Sequence, residues 1–291
     1  QDSDGEVIDG ASINGPKAAG VPGEPAALAH IAAKYGELPL RASLAPAIRY
    51  AREGFEVGET YRLLADFRRD VLRRHPRAAE TFLDNGQVPE LGTTIRQPDL
   101  ARTLERLAEH GRDGFYQGSV ARELARSNQA AGGLITREDL AGYRVKERAP
   151  VTAEVAGHRI VSASPPSSGG VALVQMLRML RAKDYAQASR VKRMHLFIEA
   201  MRRAYRDRAV YLGDTDFVDV PMARLTSRRY NAGLAATIHP DRALPSKYLP
   251  GPPAAREKAR DTTHFSVIDG DGNRVAATLS INYPFGSGFV A

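Results

Sequence analysis

Hydroxyl and amide side chains stand on two neighbouring segments near the end of the 291-residue sequence. Thr262 and Thr263 begin the first segment, and Ser280 and Asn282 close the second. A hydroxyl can act as a nucleophile when a base accepts its proton, and an amide can bind polar groups of a substrate. The sequence contains no cysteine, which excludes a thiolate nucleophile, a disulfide and a Cys-ligated zinc site.

The spacing of these residues predicts a β-hairpin. Its arms cover 264–268 and 274–282, and the turn between them is rich in Asp, Gly and Asn. With this turn Thr262 lies opposite Ser280, within hydrogen-bonding reach across the strands, and Asn282 projects from the same face. The pattern alone favours a threonine-rich strand pair over a catalytic cluster, because threonine is a common strand residue.

Helices dominate the sequence before the hairpin. Apolar residues recur at helical spacing in the segments 25–35, 43–52, 60–74, 98–110, 119–128, 171–181 and 192–211. Thr136 and Asp139 form a capping-box pattern at the start of a short helix. At 151–155 and 158–162 the pattern of apolar residues changes and predicts two strands. The segment 239–260 is predicted to be an exposed connecting loop. The sequence therefore predicts an α+β protein.

The last of these helices carries an apolar stripe. Its members are Met194, Leu196, Phe197, Met201 and Tyr205. They recur with the helical period, which supports a long helix over 192–211.

Basic residues outnumber acidic ones, 41 to 34, which gives a net charge of +7. Such a charge would suit nucleic-acid binding. The arginines, however, lie singly along predicted helices and often beside acidic residues, as in Arg206, Asp207 and Arg208. That arrangement is typical of a solvated helix face. We therefore expect no nucleic-acid partner, whereas small anionic substrates are compatible with the charge. No apolar run reaches the roughly 18 residues of a membrane span.

Other residues that could bind ligands have simpler structural interpretations. The histidines are scattered without ligand spacing, which argues against a zinc site. The turn 269–273 has the composition of a calcium loop but lacks the later bidentate Glu. His264 is interpreted as a structural or supporting residue, and 167–170 as a structural turn rather than an anion site. We expect neither a metal nor a cofactor.

The hairpin region resembles the start of the small subunit of γ-glutamyltransferases (γ-glutamyltranspeptidases), which are N-terminal-nucleophile (Ntn) hydrolases. The similar segments there are 262–273, 280–282 and 285–288. Upstream landmarks of the same family are 20–23, 35–36, 132–136, 165–170, 199–208 and 211–214. The resemblance therefore runs over essentially the whole chain, and the combination is far more specific than one short motif.

The resemblance implies a mechanism for these residues. A precursor cleaves itself between Asp261 and Thr262, and Thr262 becomes a new N-terminus. Its hydroxyl is the nucleophile, and its α-amine, with an ordinary pKa of about 7.7–8.0, is the base. A γ-glutamyl group from a glutathione-like amide passes to Thr262 and then to water or to an amino-acid or peptide acceptor. Ser280, where the family often has Thr, keeps a hydroxyl beside the nucleophile, and Asn282 matches an amide that binds the α-amino end of the glutamyl group.

The resemblance also implies an architecture, a four-layer αββα sandwich that is incomplete in this chain. Residues 1–261 are expected to form a mainly helical, large-subunit-like region that lacks its start. Residues 262–291 are expected to form the first hairpin of a small-subunit-like catalytic region that lacks its remainder. Both subunits would come from one precursor. Because the family's oxyanion glycines and carboxylate-binding arginine would lie outside this sequence, these 291 residues alone are not expected to catalyse. A periplasmic or secreted location is implied, although the residues themselves leave the cytoplasm open.

Three other functions stay open. The first is a related glutaryl/cephalosporin acylase, which removes glutaryl groups from β-lactam nuclei. The residues that distinguish its substrate from a γ-glutamyl substrate would lie mostly outside this sequence. A non-catalytic, unprocessed homologue would serve only as a structural part. Nucleic-acid binding rests on charge alone.

Overall fold

The computed structural model describes residues 5–249 and 263–291. It combines helices with short antiparallel strand pairs, which agrees with the predicted mixture of helix and sheet. The chain divides into two compact units. The first unit comprises Gln1–Val145 and Glu257–Ala291, and the second comprises Lys146–Arg256.

Helices and paired strands follow one another along the chain. The helices are α1 (Glu24–Tyr35), α2 (Leu40–Glu53), α3 (Glu59–Leu72), α4 (Pro76–Phe82), α5 (Pro98–His110), α6 (Arg112–Tyr116), α7 (Gly118–Ala130), α8 (Arg137–Gly142), α9 (Gly169–Arg181), α10 (Arg190–Tyr211), α11 (Met222–Leu225) and α12 (Arg228–Ala236). The antiparallel strand pairs are β1 (Phe55–Glu56) with β2 (Thr94–Ile95), β3 (Val151–Val155) with β4 (His158–Ser162), and β5 (Thr263–Ile268) with β6 (Arg274–Leu279).

The helices predicted from apolar periodicity are all present, and their ends lie within three residues of the predicted ones. Strands β3 and β4 occupy the predicted residues. The capping box of α8 is also confirmed, because Asp139 N donates to Thr136 Oγ1 at 3.0 Å and Thr136 N donates to Asp139 Oδ2 at 2.9 Å. Of the predicted loop 239–260, the described part carries a single short 3-10 turn, Ser246–Tyr248. The short helices α4, α6, α11 and α12 were not predicted.

The first unit has its main core where α1, α2 and α5 to α8 meet. The buried side chains are Ala26, Leu44, Leu107, Phe115, Tyr116, Ala121, Ala125, Ile135 and Leu140. Helices α5 and α6 cross at Gly114, where any Cβ atom would collide with the carbonyl oxygen of Arg106, so only glycine fits. The Tyr116 hydroxyl accepts a hydrogen bond from Ala26 N at 3.2 Å and donates to the Pro22 carbonyl oxygen. These bonds fasten the start of α1 to α6.

In the second unit, the buried face of α10 carries three charged residues. Its buried residues are Leu196, Glu199, Ala200, Arg203, Ala204 and Asp207. Met194, Phe197 and Tyr205 of the predicted stripe are 60%, 42% and 55% exposed. These three apolar side chains therefore lie outside the core, and the interpretation of Asp207, which is 0% exposed, as part of a solvated face is wrong. Alanines on the buried face let α10 pack closely against α9, and its charged residues are satisfied within the unit.

Glu199 and Arg203 form the buried ion pair of this face. Arg203 Nη1 donates to Glu199 Oε2 at 2.8 Å, and Arg202 pairs with the other carboxylate oxygen. Arg203 Nε and Nη2 donate to Oγ1 and to the carbonyl oxygen of Thr237 at 2.7 and 2.8 Å. Both charges therefore have the partners that burial requires.

Asp207 joins three helices of the second unit. Its carboxylate accepts hydrogen bonds from Gln175 Nε2 at 2.8 Å, from the Tyr230 hydroxyl at 2.9 Å and from Arg206 Nη1 at 2.9 Å. Burial raises the pKa of Tyr230 to about 12, so its hydroxyl stays protonated and remains a donor. These bonds link α9, α10 and α12 through one buried acid.

None of the helices within residues 5–249 and 263–291 combines the length and the apolar character that a membrane span requires.

Candidate functional site

The predicted hairpin is present as β5 and β6. The strands pair Thr263 with Leu279 and Ile268 with Arg274, which is the predicted register. Asp261 and Thr262 lie outside the described residues. The predicted pairing of Thr262 with Ser280, and the cleavage before Thr262, therefore stay predictions.

Asp269 organises the turn of the hairpin. Its Oδ1 accepts hydrogen bonds from the backbone N of Asp271 and Asn273 at 3.0 and 2.8 Å, and its Oδ2 accepts one from Asn273 Nδ2 at 2.7 Å. Hydrogen bonds from the Asn273 side chain and backbone lower the pKa of Asp269 below its ordinary value. The aspartate thus acts as a turn former. Across the part of the chain that the structure describes, no group of three or more His, Asp or Glu could hold a metal ion.

Ser280 and Asn282 follow β6 rather than belonging to it. The strand ends at Leu279, and Asn282 adopts a left-handed backbone with a φ of 71°. The predicted arm to residue 282 is therefore too long, and strand alternation does not place Asn282 on the face of Ser280. Asparagine is one of the few residues that tolerate this conformation, which turns the chain. The turn itself brings the two residues together, because Asn282 N donates to Ser280 Oγ at 3.2 Å.

His264 links two hydroxyls on one face of the hairpin. Its Nδ1 lies 2.7 Å from Thr278 Oγ1, and its Nε2 lies 3.3 Å from Ser266 Oγ. The ring is thus held by a cross-strand neighbour and by a residue two positions along its own strand. Thr278 and Ser266 were not predicted to be its partners. The period-2 pattern together with the hairpin register would have identified both.

Phe285 fastens the segment after the hairpin to the helices of the first unit. Its ring packs against those of Tyr61 and Phe82, with centroid distances of 5.4 and 5.1 Å. The Tyr61 hydroxyl donates to the Phe82 carbonyl oxygen at 2.8 Å, and burial raises the pKa of Tyr61 to about 12. Phe285 has a φ of 58°, a strained value for a bulky residue that costs about 1–3 kcal/mol. The packing of this half-buried ring against the helices offsets the strain.

Arg68 holds the same segment from α3. Its side chain is buried, its Nη2 donates to the Gly286 carbonyl oxygen at 2.9 Å, and its guanidinium lies 5.2 Å from the centre of the Tyr283 ring. Gly15 N also donates to the Ser287 carbonyl oxygen at 2.7 Å. The residues that follow Asn282 are therefore anchored on the first unit.

Replacing Leu72 with alanine is expected to loosen this anchor. Leu72, at the end of α3, is fully buried in a cluster that includes Phe285 and Val290. Truncating it should lower the free energy of unfolding by about 2–5 kcal/mol, from lost burial and the cavity left behind. Leu63, on the same helix, is 72% exposed, and Leu63→Ala should change the stability little. Urea unfolding followed by circular dichroism measures both, and equal losses would contradict the packing described.

Both the sequence and the fold resemble known proteins. The gamma-glutamyltranspeptidase family model matches residues 1–291. A glutathione hydrolase proenzyme from Escherichia coli (strain K12) is 40% identical over 287 residues, which cover 96% of this chain and 49% of that protein. An acylase ACY 1 proenzyme from Pseudomonas sp. (strain SE83) is 36% identical over 284 residues, which cover 97% of this chain and 50% of that protein. The crystal structure of Helicobacter pylori gamma-glutamyltranspeptidase matches with a TM-score of 0.81 and 35% identity, over 89% of this chain and 75% of that one.

The chain spans about half the length of the curated relatives it matches.

Proposed function

We propose that this chain supplies the nucleophile of an enzyme that cleaves glutathione-like γ-glutamyl amides, because the chain belongs to the gamma-glutamyltranspeptidase family. The observation that carries the proposal is the family match, which extends from the helical region through the hairpin and its hydroxyl-bearing ends. The similarity to a glutathione hydrolase supports the choice of a γ-glutamyl substrate.

Maturation is the first step of the proposed function. The precursor cuts its own Asp261–Thr262 bond, and Thr262 becomes the N-terminus of a smaller subunit. The word proenzyme in the names of the relatives supports this step. Residues 1–261 then form the large-subunit-like region and 262–291 the first part of the small-subunit-like region, within a four-layer αββα sandwich. We place the protein in the periplasm or outside the cell.

The proposed reaction uses one residue as nucleophile and base. Thr262 Oγ1 attacks the γ-carbonyl carbon of the substrate while the α-amine of the same residue accepts the hydroxyl proton. The tetrahedral intermediate expels the substrate amine, which takes that proton, and a γ-glutamyl ester remains on Thr262. Water, or the amine of an amino acid or peptide, then attacks the ester and restores the free hydroxyl.

Ser280 and Asn282 have supporting roles in this proposal. The Ser280 hydroxyl hydrogen-bonds to that of Thr262 and orients it, and the Asn282 amide binds the α-amino end of the glutamyl group. Their closeness to each other at the end of β6 supports a shared site.

Ser280→Ala is expected to lower kcat by a factor of roughly 10 to 1000, as for the loss of one catalytic hydrogen-bonding group. Ser280→Thr restores a hydroxyl at the same position and should keep most of the activity. Release of nitroaniline from γ-glutamyl-p-nitroanilide by the full-length natural protein gives both rates. An alanine variant as fast as the wild type would show that this hydroxyl does not assist Thr262.

The acylase is the second candidate, because an acylase proenzyme is also similar over nearly the whole chain. Glutaryl-p-nitroanilide distinguishes the two candidates, since it differs from γ-glutamyl-p-nitroanilide only by lacking the α-amino group. We expect the full-length protein to prefer the γ-glutamyl compound at least tenfold in kcat/KM, and Asn282→Ala to reduce that preference by roughly tenfold. A preference for the glutaryl compound would identify the protein as the acylase. If the protein turned over neither compound, the non-catalytic homologue would be the remaining alternative.

A further inference from the structure

Three arginines line one cavity of the second unit. Arg178 and Arg181 lie on the last turns of α9, and Arg228 is the first residue of α12. Together with the turn between β3 and β4 they line a pocket of about 460 Å³ that is partly open to solvent. Glu154 is the acidic residue of the lining, and the remaining walls are mostly small or apolar. The cavity therefore carries more positive than negative charge.

These arginines lack the hydrogen-bonding partners that several other arginines of the same unit have. Arg148, for example, pairs with Asp214 and Asp216 at 3.0 Å each. Within residues 5–249 and 263–291, by contrast, the guanidinium groups that line the cavity form no hydrogen bond or ion pair. Nε and Nη1 of Arg178 are moreover buried without an acceptor among these described residues. A buried donor without a partner costs about 1–3 kcal/mol, so such a group calls for an unseen acceptor.

The positive charges of these arginines also repel one another, and the dipole of α12 disfavours those at its N-terminus. Burial and the positive charge of Arg228 both lower the pKa of Arg178. Arg228 and Arg229 stand in the first turn of α12, which contains no acidic residue. The partial positive charge of a helix N-terminus disfavours cations there and favours anions. An anion in the cavity would offset both conflicts and supply the missing acceptors.

We propose that this cavity binds a small free oxyanion of the phosphate class. The planar guanidinium donates two parallel hydrogen bonds to the oxygens of such an ion, which spherical chloride cannot accept in the same way. Three guanidiniums match the several oxygens and the charge of a phosphate dianion. This binding site is independent of the proposed reaction, because none of the residues that line the cavity has a role in that reaction.

Titration of the full-length protein with inorganic phosphate tests the proposal by isothermal calorimetry. Chloride keeps the ionic strength constant, so that general screening makes no difference. We expect one phosphate per chain. Arg181→Gln and Arg228→Gln, both at exposed positions, should each weaken binding roughly tenfold, and Arg178→Gln should weaken it more.

Arg229→Gln is the matched control. Residue 229 follows Arg228 on α12, carries the same charge and does not line this cavity. We expect it to change the phosphate affinity by less than about twofold. If phosphate binds no better than chloride, or if the Arg229 variant loses as much affinity as the Arg228 variant, the proposed site is overturned. Should Arg178→Gln fail to fold, the variants at 181 and 228 still decide the result.

Discussion

Replacing Thr262 with alanine is expected to stop both self-cleavage and turnover in the full-length protein. One hydroxyl serves both steps in the proposed mechanism, so its removal should reduce the hydrolysis rate by roughly 10³-fold or more. Thr262→Ser keeps a hydroxyl and should retain measurable cleavage. Gel electrophoresis of the purified variants follows cleavage, and nitroaniline release follows turnover.

Thr263→Ala is the control for this experiment. Thr263 begins β5 beside the proposed nucleophile, and its removal should leave both steps largely intact, because strand pairing with Leu279 uses only the backbone of this residue. If the Thr262 variant still cleaves itself and still hydrolyses γ-glutamyl-p-nitroanilide, the nucleophile is a different residue. If only the Thr263 variant fails, the assignment is shifted by one position.

Replacing Glu199 with alanine is expected to lower the free energy of unfolding by about 3–5 kcal/mol, because Arg203 would remain as a buried charge without its counter-ion. The side chains of Glu199 and Arg203 are 1% and 0% exposed. The pair of Glu123 with Arg126 on α7 is the control, since its side chains are 45% and 68% exposed. Glu123→Ala should change the stability little, because water screens such a pair. Equal losses in urea unfolding would contradict the role assigned to burial.

The same carboxylate predicts a pH dependence. Burial raises the pKa of Glu199, but hydrogen bonds from Arg203 and Arg202 outweigh this effect, and the pKa is lowered. A lowered pKa means that the stabilisation is present above the unfolded value of about 4.3 and is lost as the pH falls through the folded value. The stability difference between wild type and Glu199→Ala should therefore shrink below about pH 4.

The regular parts of the fold could be predicted because local patterns determine them. Long amphipathic helices follow from apolar spacing. The hairpin register follows from a turn in which Asp269 accepts hydrogen bonds from residues just downstream. Helices α4, α6, α11 and α12 were missed, since each has at most nine residues and too few turns to display a periodic stripe.

The buried face of α10 could not be predicted from hydrophobicity. Glu199, Arg203 and Asp207 are charged, and a sequence pattern assigns them to the surface. They are buried because partners from distant parts of the chain, such as Thr237 and Gln175, satisfy them. Those partners become apparent only once the helices are packed.

The candidate site was predicted only in part. Residue types and the family resemblance selected Thr262, Ser280 and Asn282. The end of β6 at Leu279 was not predicted, because it depends on the left-handed conformation of Asn282 and on the anchoring of Phe285. The arginine cavity was not predicted either, since Arg178 and Arg228 lie 50 positions apart and meet through tertiary packing.

The most direct test of the account is the mass and N-terminal sequence of the purified full-length protein. We expect two fragments, with the smaller one beginning at Thr262 and reading Thr-Thr-His-Phe. Such a product would carry the free α-amine that the proposed mechanism needs as its base. An uncleaved protein with full activity towards γ-glutamyl-p-nitroanilide, or a smaller fragment that begins at another residue, would contradict Thr262 as the N-terminal nucleophile.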